Sequence, residues 1–164
     1  MTTQIKGSAT STFGGNVVIP SPAFDAYSTA NQSISSSTWT KVILGGEFYD
    51  LTNHFDSTTN YRFQPNIEGY YQINTTVRFS NGGALAQLII GIFKNGTFHK
   101  TMTNLRDVVS NSPMHICGSN LVYMNGTTDY VELYTYLNAT SPLLLSDNAS
   151  DANCSMNGFL ARAV

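Results

Sequence analysis

The sequence predicts an all-β domain, a sandwich or barrel of short strands, on three observations. Strong helix formers are scarce: glutamate occurs only at Glu47, Glu68 and Glu132, while Ser, Thr, Asn, Gly, Tyr and Phe are abundant, a bias toward strands and turns. Two stretches alternate with period two, as an extended chain does when one face is buried. After Gly69, Tyr71, Ile73, Thr75, Val77 and Phe79 share one face, opposite Tyr70, Gln72, Asn74, Thr76 and Arg78. In DYVELYTYL, Val131, Leu133, Thr135 and Leu137 lie opposite Tyr130, Glu132, Tyr134 and Tyr136. Third, apolar runs recur at short spacing between Asn, Gly, Ser and Asp, the punctuation of a sandwich or barrel.

In chain order, residues 1–22 read as an N-terminal arm, polar and Gly/Ser/Thr-rich, with an apolar patch at Val17, Val18 and Ile19 before Pro20 and Pro22. So few apolar groups do not offset an ordering cost of about 1–2 kcal/mol per residue of backbone, so the arm needs a partner to become fixed. Val17, Val18 and Ile19 are its anchor; the other reading is a first strand completing the protein's own sheet. Residues 23–164 form one domain. Strands are expected over Ala23 to Tyr27, Trp39 to Leu44, Phe48 to Leu51, Tyr61 to Gln64 and Tyr70 to Phe79, the last ended by Asn81-Gly82-Gly83.

Leu85 to Phe93 is apolar on both faces at Leu88, Ile89 and Ile90, which suits a strand covered on both sides or at a subunit edge. Asn95-Gly96 is a hairpin signal, since both residues tolerate the positive φ of a type I′ turn. The chain returns through Thr97 to Met102. Residues 104–114 read as a loop, Met114 to Met124 as a strand, and Asp129 to Leu137 as the next. Leu143 to Leu145 is a short strand, SDNASDAN a polar loop, and Cys154 to Val164 the closing strand.

At 164 residues the chain buries roughly two-thirds of its surface without help from a metal or disulfide. A net charge of −2 with scattered Lys and Arg offers no basic patch, so neither nucleic acid nor an anionic membrane is expected as a partner. The start, MTTQIKGSATSTFGG, does not read as a secretory signal, and no run is long enough to cross a bilayer as a helix. Synthesis in a host cytoplasm is therefore expected, and the Asn-x-Ser/Thr triplets are expected to be incidental. Cys117 and Cys154 then read as two small buried thiols rather than a disulfide.

Taken in order, AFDAY at Ala23, YRFQPNIEGYY at Tyr61, IFKNG at Ile92, GSNLVYMNGTTDYVELY at Gly118 and MNGFLARAV at Met156 resemble the globular heads of the complement C1q and tumour necrosis factor superfamily. The resemblance covers residues 23 to 164. Thr128-Asp129 stands where the pattern has Gly-Asp, and Met156 replaces the Phe of the closing motif. The resemblance implies a ten-strand jelly roll of two sheets in a compact homotrimer. It also implies that Asn125-Gly126 marks a step from the outer sheet to the inner one, with no hairpin there.

It further implies that the strands over Tyr70 to Phe79 and Asp129 to Leu137 lie side by side in the inner sheet, facing the threefold axis. Tyr70, Tyr130, Tyr134 and Tyr136 are then the expected trimer interface, since a large apolar patch on a sheet marks a contact.

Chemistry is sparse. His54, His99 and His115 form no H-E-x-x-H spacing, and no G-x-S-x-G elbow or phosphate-binding glycine loop occurs. His115 and Cys117 share a strand face but lack a third group for a metal or a nucleophilic pair. Asp147 and Asp151 read as a solvated turn rather than a calcium site on the axis. No catalytic residue, cofactor or metal is expected.

The expected function is therefore a non-enzymatic virion structural protein, a homotrimer on a viral, phage-type particle surface. It would decorate or cement a capsid by docking residues 1–22 on the major capsid protein or another virion protein. The alternative is an adhesion head of a phage fibre, binding a host-surface glycan or receptor.

Overall fold

The computed structural model describes residues 21–80, 83–110, 113–138, 143–144 and 153–164. Val17, Val18, Ile19, Asp147 and Asp151 lie outside the described residues. The described residues form strands and connections with no helix: β1 Ala23–Tyr27, β2 Gln32–Ser33, β3 Thr40–Lys41, β4 Gly46–Asp50, β5 Phe55–Asp56, β6 Arg62–Phe63, β7 Glu68–Ser80, β8 Gly83–Lys94, β9 Thr97–Ser110, β10 Met114–Asn125, β11 Val131–Asn138, β12 Leu143–Leu144 and β13 Ser155–Ala163.

The strands make two antiparallel sheets. The first runs β4-β1-β13-β7-β10, with β12 on the end of β7 and β2 on β12. The second runs β9-β8-β11, with β3 and β6 sharing the far edge of β11 and β5 on β6. Both alternations read from the sequence are real. Tyr71, Ile73, Thr75, Val77 and Phe79 of β7 face Val131, Leu133, Thr135 and Leu137 of β11 across one core, all buried.

Four aromatic rings close one end of that core. Phe24 stacks on Phe63 at 4.3 Å and on Phe55 at 5.1 Å, and Phe63 meets Tyr71 edge-on at 5.5 Å. The Tyr71 hydroxyl donates to the Ile67 carbonyl at 2.8 Å, and burial pushes its pKa up to about 12. A buried tyrosine is thereby kept neutral and satisfied.

The Asn95-Gly96 turn has the positive φ values, 54° and 75°, that a type I′ hairpin needs. At Asn125-Gly126 the chain does change sheets, but from the sheet of β7 into the other, the reverse of the expected direction. The Asn125 side chain holds the corner by accepting from the backbone N–H groups of Thr127, Thr128 and Asp129. Gly126 is required there: its φ is 68°, and a Cβ would sit 2.4 Å from Glu68 N.

Two further expectations are corrected. The segment 104–110 is not a loop; β9 runs to Ser110 because β8 offers a partner along its length, with Leu88 opposite Leu105 and Gln87 opposite Arg106. One sheet face there is open to water, so polar side chains do not end the strand. Trp39 to Leu44 keeps only Thr40–Lys41 as strand, although Val42 and Leu44 are buried.

Candidate functional site

The four tyrosines do not lie on adjacent strands. Tyr70 is on β7 of the first sheet, whereas Tyr130 precedes, and Tyr134 and Tyr136 lie within, β11 of the second. The difference follows from the sheet change at Asn125–Asp129. Tyr134 stacks on Phe93 at 3.9 Å, Tyr136 meets Trp39 at 5.7 Å, and Trp39 also touches Phe93 and Phe98. The Arg62 guanidinium lies 4.1 Å from the Tyr130 ring centroid. These three tyrosines are half-buried by the chain's own side chains.

Tyr70 is different, at 45% exposed. The outer face of the first sheet around it can be read row by row from the strand register. Nearest the entry of residue 21, Arg162, Tyr70 and Tyr123 lie side by side; next come Ala23, Phe159, Gln72 and Leu121. The third row is Tyr49, Asp25, Asn157, Asn74 and Ser119; the fourth is Tyr27, Ser155, Thr76 and Cys117, with Phe48 against Tyr27 at 4.6 Å.

This face has two apolar flanks with a polar belt between. In the belt, Asn74 Nδ2 donates to Asn157 Oδ1 at 2.9 Å, and the Ser119 hydroxyl donates to Asn74 Oδ1 at 2.9 Å. Burial raises the Asp25 carboxyl above its ordinary pKa within this belt. One flank carries Tyr70, Leu121, Tyr123 and Phe159; the other carries Phe48 and Tyr49 on β4. Tyr70 and Tyr123 meet at 5.6 Å, and the Tyr123 hydroxyl donates to Glu68, which raises the tyrosine pKa.

The Tyr70 flank lines a cleft of about 620 Å³ with Glu68, Leu121, Tyr123, Arg162 and the C-terminal Val164. Residues 21–22 lead into β1 at the same end: Pro22 O accepts from Leu160 N at 3.1 Å, and Val164 N donates to Glu68 O at 3.3 Å. A second, polar cleft of about 570 Å³ opens between β4, β5 and the Asn125 corner, lined by Glu47, Asn53, His54, Asp56, Asn66 and Thr127 among others. Asp56 is committed to structure there. It accepts from the Thr59, Asn60 and Thr58 backbone and from the Asn60 and Thr58 side chains, which hold its carboxyl well below the usual range.

Among the described residues no group of three His, Cys, Asp or Glu side chains could hold a metal. Cys154 is buried as expected, but Cys117 is exposed, because the outer face of β10 carries it beside Thr76. The two are not joined. Leu121, Tyr123, Phe159, Phe48 and Tyr49 were not evident as a group from the sequence. The alternation of Leu121 and Tyr123 on a strand beside Tyr70 is the signal that pairs them, but it needs the register.

No protein-family model matches the sequence, and neither does any curated protein sequence. Solved structures do match. The globular domain of a zebrafish complement 1qA protein is 16% identical with a TM-score of 0.54, covering 87% of this chain and 99% of that one. Murine APRIL is 12% identical with a TM-score of 0.58, covering 85% and 98%. The PRD1 vertex protein P5 is 13% identical with a TM-score of 0.59, covering 86% and 97%. The chain therefore has the C1q/TNF-like jelly-roll fold, which it shares with complement and APRIL heads and with a phage vertex protein.

Proposed function

We propose that this protein is a non-enzymatic virion component, a homotrimer that decorates or cements a capsid through residues 1–22. The observation that carries the reading is the apolar Tyr70–Leu121–Tyr123 flank, which lies at the end of the first sheet where the arm enters. Three copies meeting on that sheet would bring the three starts of β1 to one end. The sharing of the fold with the PRD1 vertex protein supports a particle location.

Of the expected interface, Tyr70 stays in the proposal. Tyr130, Tyr134 and Tyr136 leave it in this reading, since each is half-buried under its own chain on or beside the second sheet, whereas Tyr70 is 45% exposed on the first. In the polar cleft Asp56 serves the fold, held ionised by five donors. Removing residues 1–20 tests the role. The shortened protein should remain a trimer and fail to bind particles stripped of the native protein, whereas undiminished particle binding would overturn the decoration role.

A further inference from the structure

The polar cleft of about 570 Å³ beside the Asn125 corner is shaped by hydrogen bonds made within its own walls. Asp50 accepts from the Thr52 and Phe55 N–H groups at 3.3 and 2.7 Å, and Asp56 fixes residues 58–60. Asn125 fixes residues 127–129 on the facing wall. Gln64 joins the two: its backbone N–H donates to the His54 carbonyl at 2.8 Å and its Nε2 to the Thr127 carbonyl at 3.1 Å. A ligand therefore meets a finished surface and has no loop to order. We propose that this cleft is a saccharide site, taking an uncharged, hydroxyl-rich sugar from the end of a glycan chain. The site depends on neither the trimer nor the arm.

The lining has hydrogen-bonding capacity that the fold does not use. Asn53, Asn66, Ser57 and Glu47 line the cleft, and among the described residues their side chains have no hydrogen-bond partner. His54 Nδ1 is buried without one as well. Buried polar groups are nearly always paired, so this imidazole is a wall group still short of a partner. Amide donors beside amide, hydroxyl and carboxylate acceptors match a sugar hydroxyl, which both donates and accepts. Below this rim the buried Phe55 and Pro65 make an apolar floor, and Phe55 is backed by Phe24, stacked on it at 5.1 Å. A pyranose ring is divided in the same way, with hydroxyls around its edge and C–H groups on its faces.

Charge selects among such ligands. Glu47 and Asp56 line the cleft, and among the described residues no Lys or Arg does. The Asp56 oxygens are taken by their five donors, so Glu47 is the carboxylate open to a ligand. Phosphate, sulfate and acidic sugars meet uncompensated negative charge here. A simple cation would find one open carboxylate and leave the Asn53 and Asn66 amide donors idle. An uncharged sugar uses both kinds of group, and the volume lies within the roughly 300–1,000 Å³ of small-molecule sites.

Saturation-transfer NMR on the full chain tests this. The probes are neutral disaccharides of glucose, galactose, mannose and N-acetylglucosamine, with sulfated and sialylated lactose as anionic counterparts. Transfer to at least one neutral sugar is expected, and to neither anion. Asn53→Gly removes one amide and suits the φ of 56° at that position; Asn66→Ala removes the other at an exposed site. Each should weaken binding by about tenfold, the worth of one such hydrogen bond, and the pair should abolish it. Arg106→Ala, toward the far end of β9, should bind as the wild type does. Absence of transfer to every neutral sugar at millimolar concentration overturns the proposal. So does undiminished transfer in the folded Asn53→Gly/Asn66→Ala pair, or stronger transfer to either anion. Should the pair lose its folded circular dichroism, Asn66→Ala alone decides, and unchanged affinity in it overturns the site.

Discussion

Lys94 Nζ lies 2.7 Å from Asp129 Oδ2, and this ion pair fixes the corner at which the chain leaves the first sheet for the second. Both side chains are largely buried, and Asp129 also accepts from Asn95 Nδ2 at 2.8 Å and Asn125 N at 3.0 Å. The Asn95-Gly96 hairpin of one sheet is thereby tied to the end of β10 in the other. Burial works against the charged carboxylate, but the Lys94 ammonium and the Asn95 and Asn125 donors outweigh it and lower the pKa.

Replacing Asp129 by Ala strands a buried cation and two donors, a loss of about 3 kcal/mol or more, to be read from urea unfolding at pH 7. Its pH dependence has a defined sign. The folded-state pKa is lowered, so the stability is fully present above the unfolded value of about 3.9 and disappears as pH falls through the folded value. The gap between wild type and Asp129→Ala should therefore narrow below pH 4. A gap that stayed constant to pH 2.5 would assign the loss to packing alone.

Gly91 explains how the outer face of the second sheet keeps its aromatic cover. A Cβ there would lie 2.9 Å from Trp39 Cη2 and 3.2 Å from Phe98 Cε2, so the bare backbone is the floor on which the indole rests. Gly91→Ala should cost about 1–3 kcal/mol by overpacking. Trp39 is the single tryptophan, so its fluorescence should shift to the red as the ring is displaced toward water.

Tyr134 and Tyr70 separate stability from assembly. Tyr134→Asp removes a ring stacked on Phe93 and places a charge beside Glu132, which is itself paired with Lys41. It should lower the melting temperature by several degrees. Tyr70→Asp changes a half-exposed position, where the cost to the single chain is about 0.5 kcal/mol or less, and should turn a trimer into a well-folded monomer by light scattering. The opposite pattern would return Tyr134 to the interface.

What the sequence reveals here is local. Period two identified the core-facing residues of β7 and β11, because each strand turns one side to the core, although Glu132 on the other face of β11 is buried as well. It does not say which sheet a strand joins, so Tyr70 and Tyr134 read alike although they face away from each other across the core. That choice is made at the corner that Asn125 holds locally and that the long-range Lys94–Asp129 pair ties to the other sheet. β5 was missed because two residues carry no period, and the second half of β9 because Thr103, Asn104, Arg106 and Asp107 look like a loop until β8 is placed beside them. The exposed apolar group was hidden for the same reason: Leu121, Tyr123 and Tyr70 become neighbours only through the β7–β10 register.

Lys100 guards an edge. Its ammonium donates to Asn120 Oδ1 at 3.0 Å and to the Leu121 carbonyl at 2.7 Å, and the Thr103 hydroxyl donates to the Cys117 carbonyl, so β9 of one sheet covers the open edge of β10 in the other. The two strands approach so closely that a Cβ on Gly118 would lie 2.5 Å from Met102 Cβ. Lys100→Met keeps the stem that packs along this seam and removes the charge that fills the Leu121 acceptor. The exposed carbonyl then sits on a strand with Leu121 and Tyr123 beside it, a template for another chain. Expected is a small change in the melting temperature together with faster association, seen as rising light scattering and thioflavin fluorescence at 37 °C over hours in which the wild type stays clear. Lys100→Arg, which restores a donor, should suppress it; equal aggregation of the Met and Arg variants would mean that β10 is guarded by something other than this hydrogen bond.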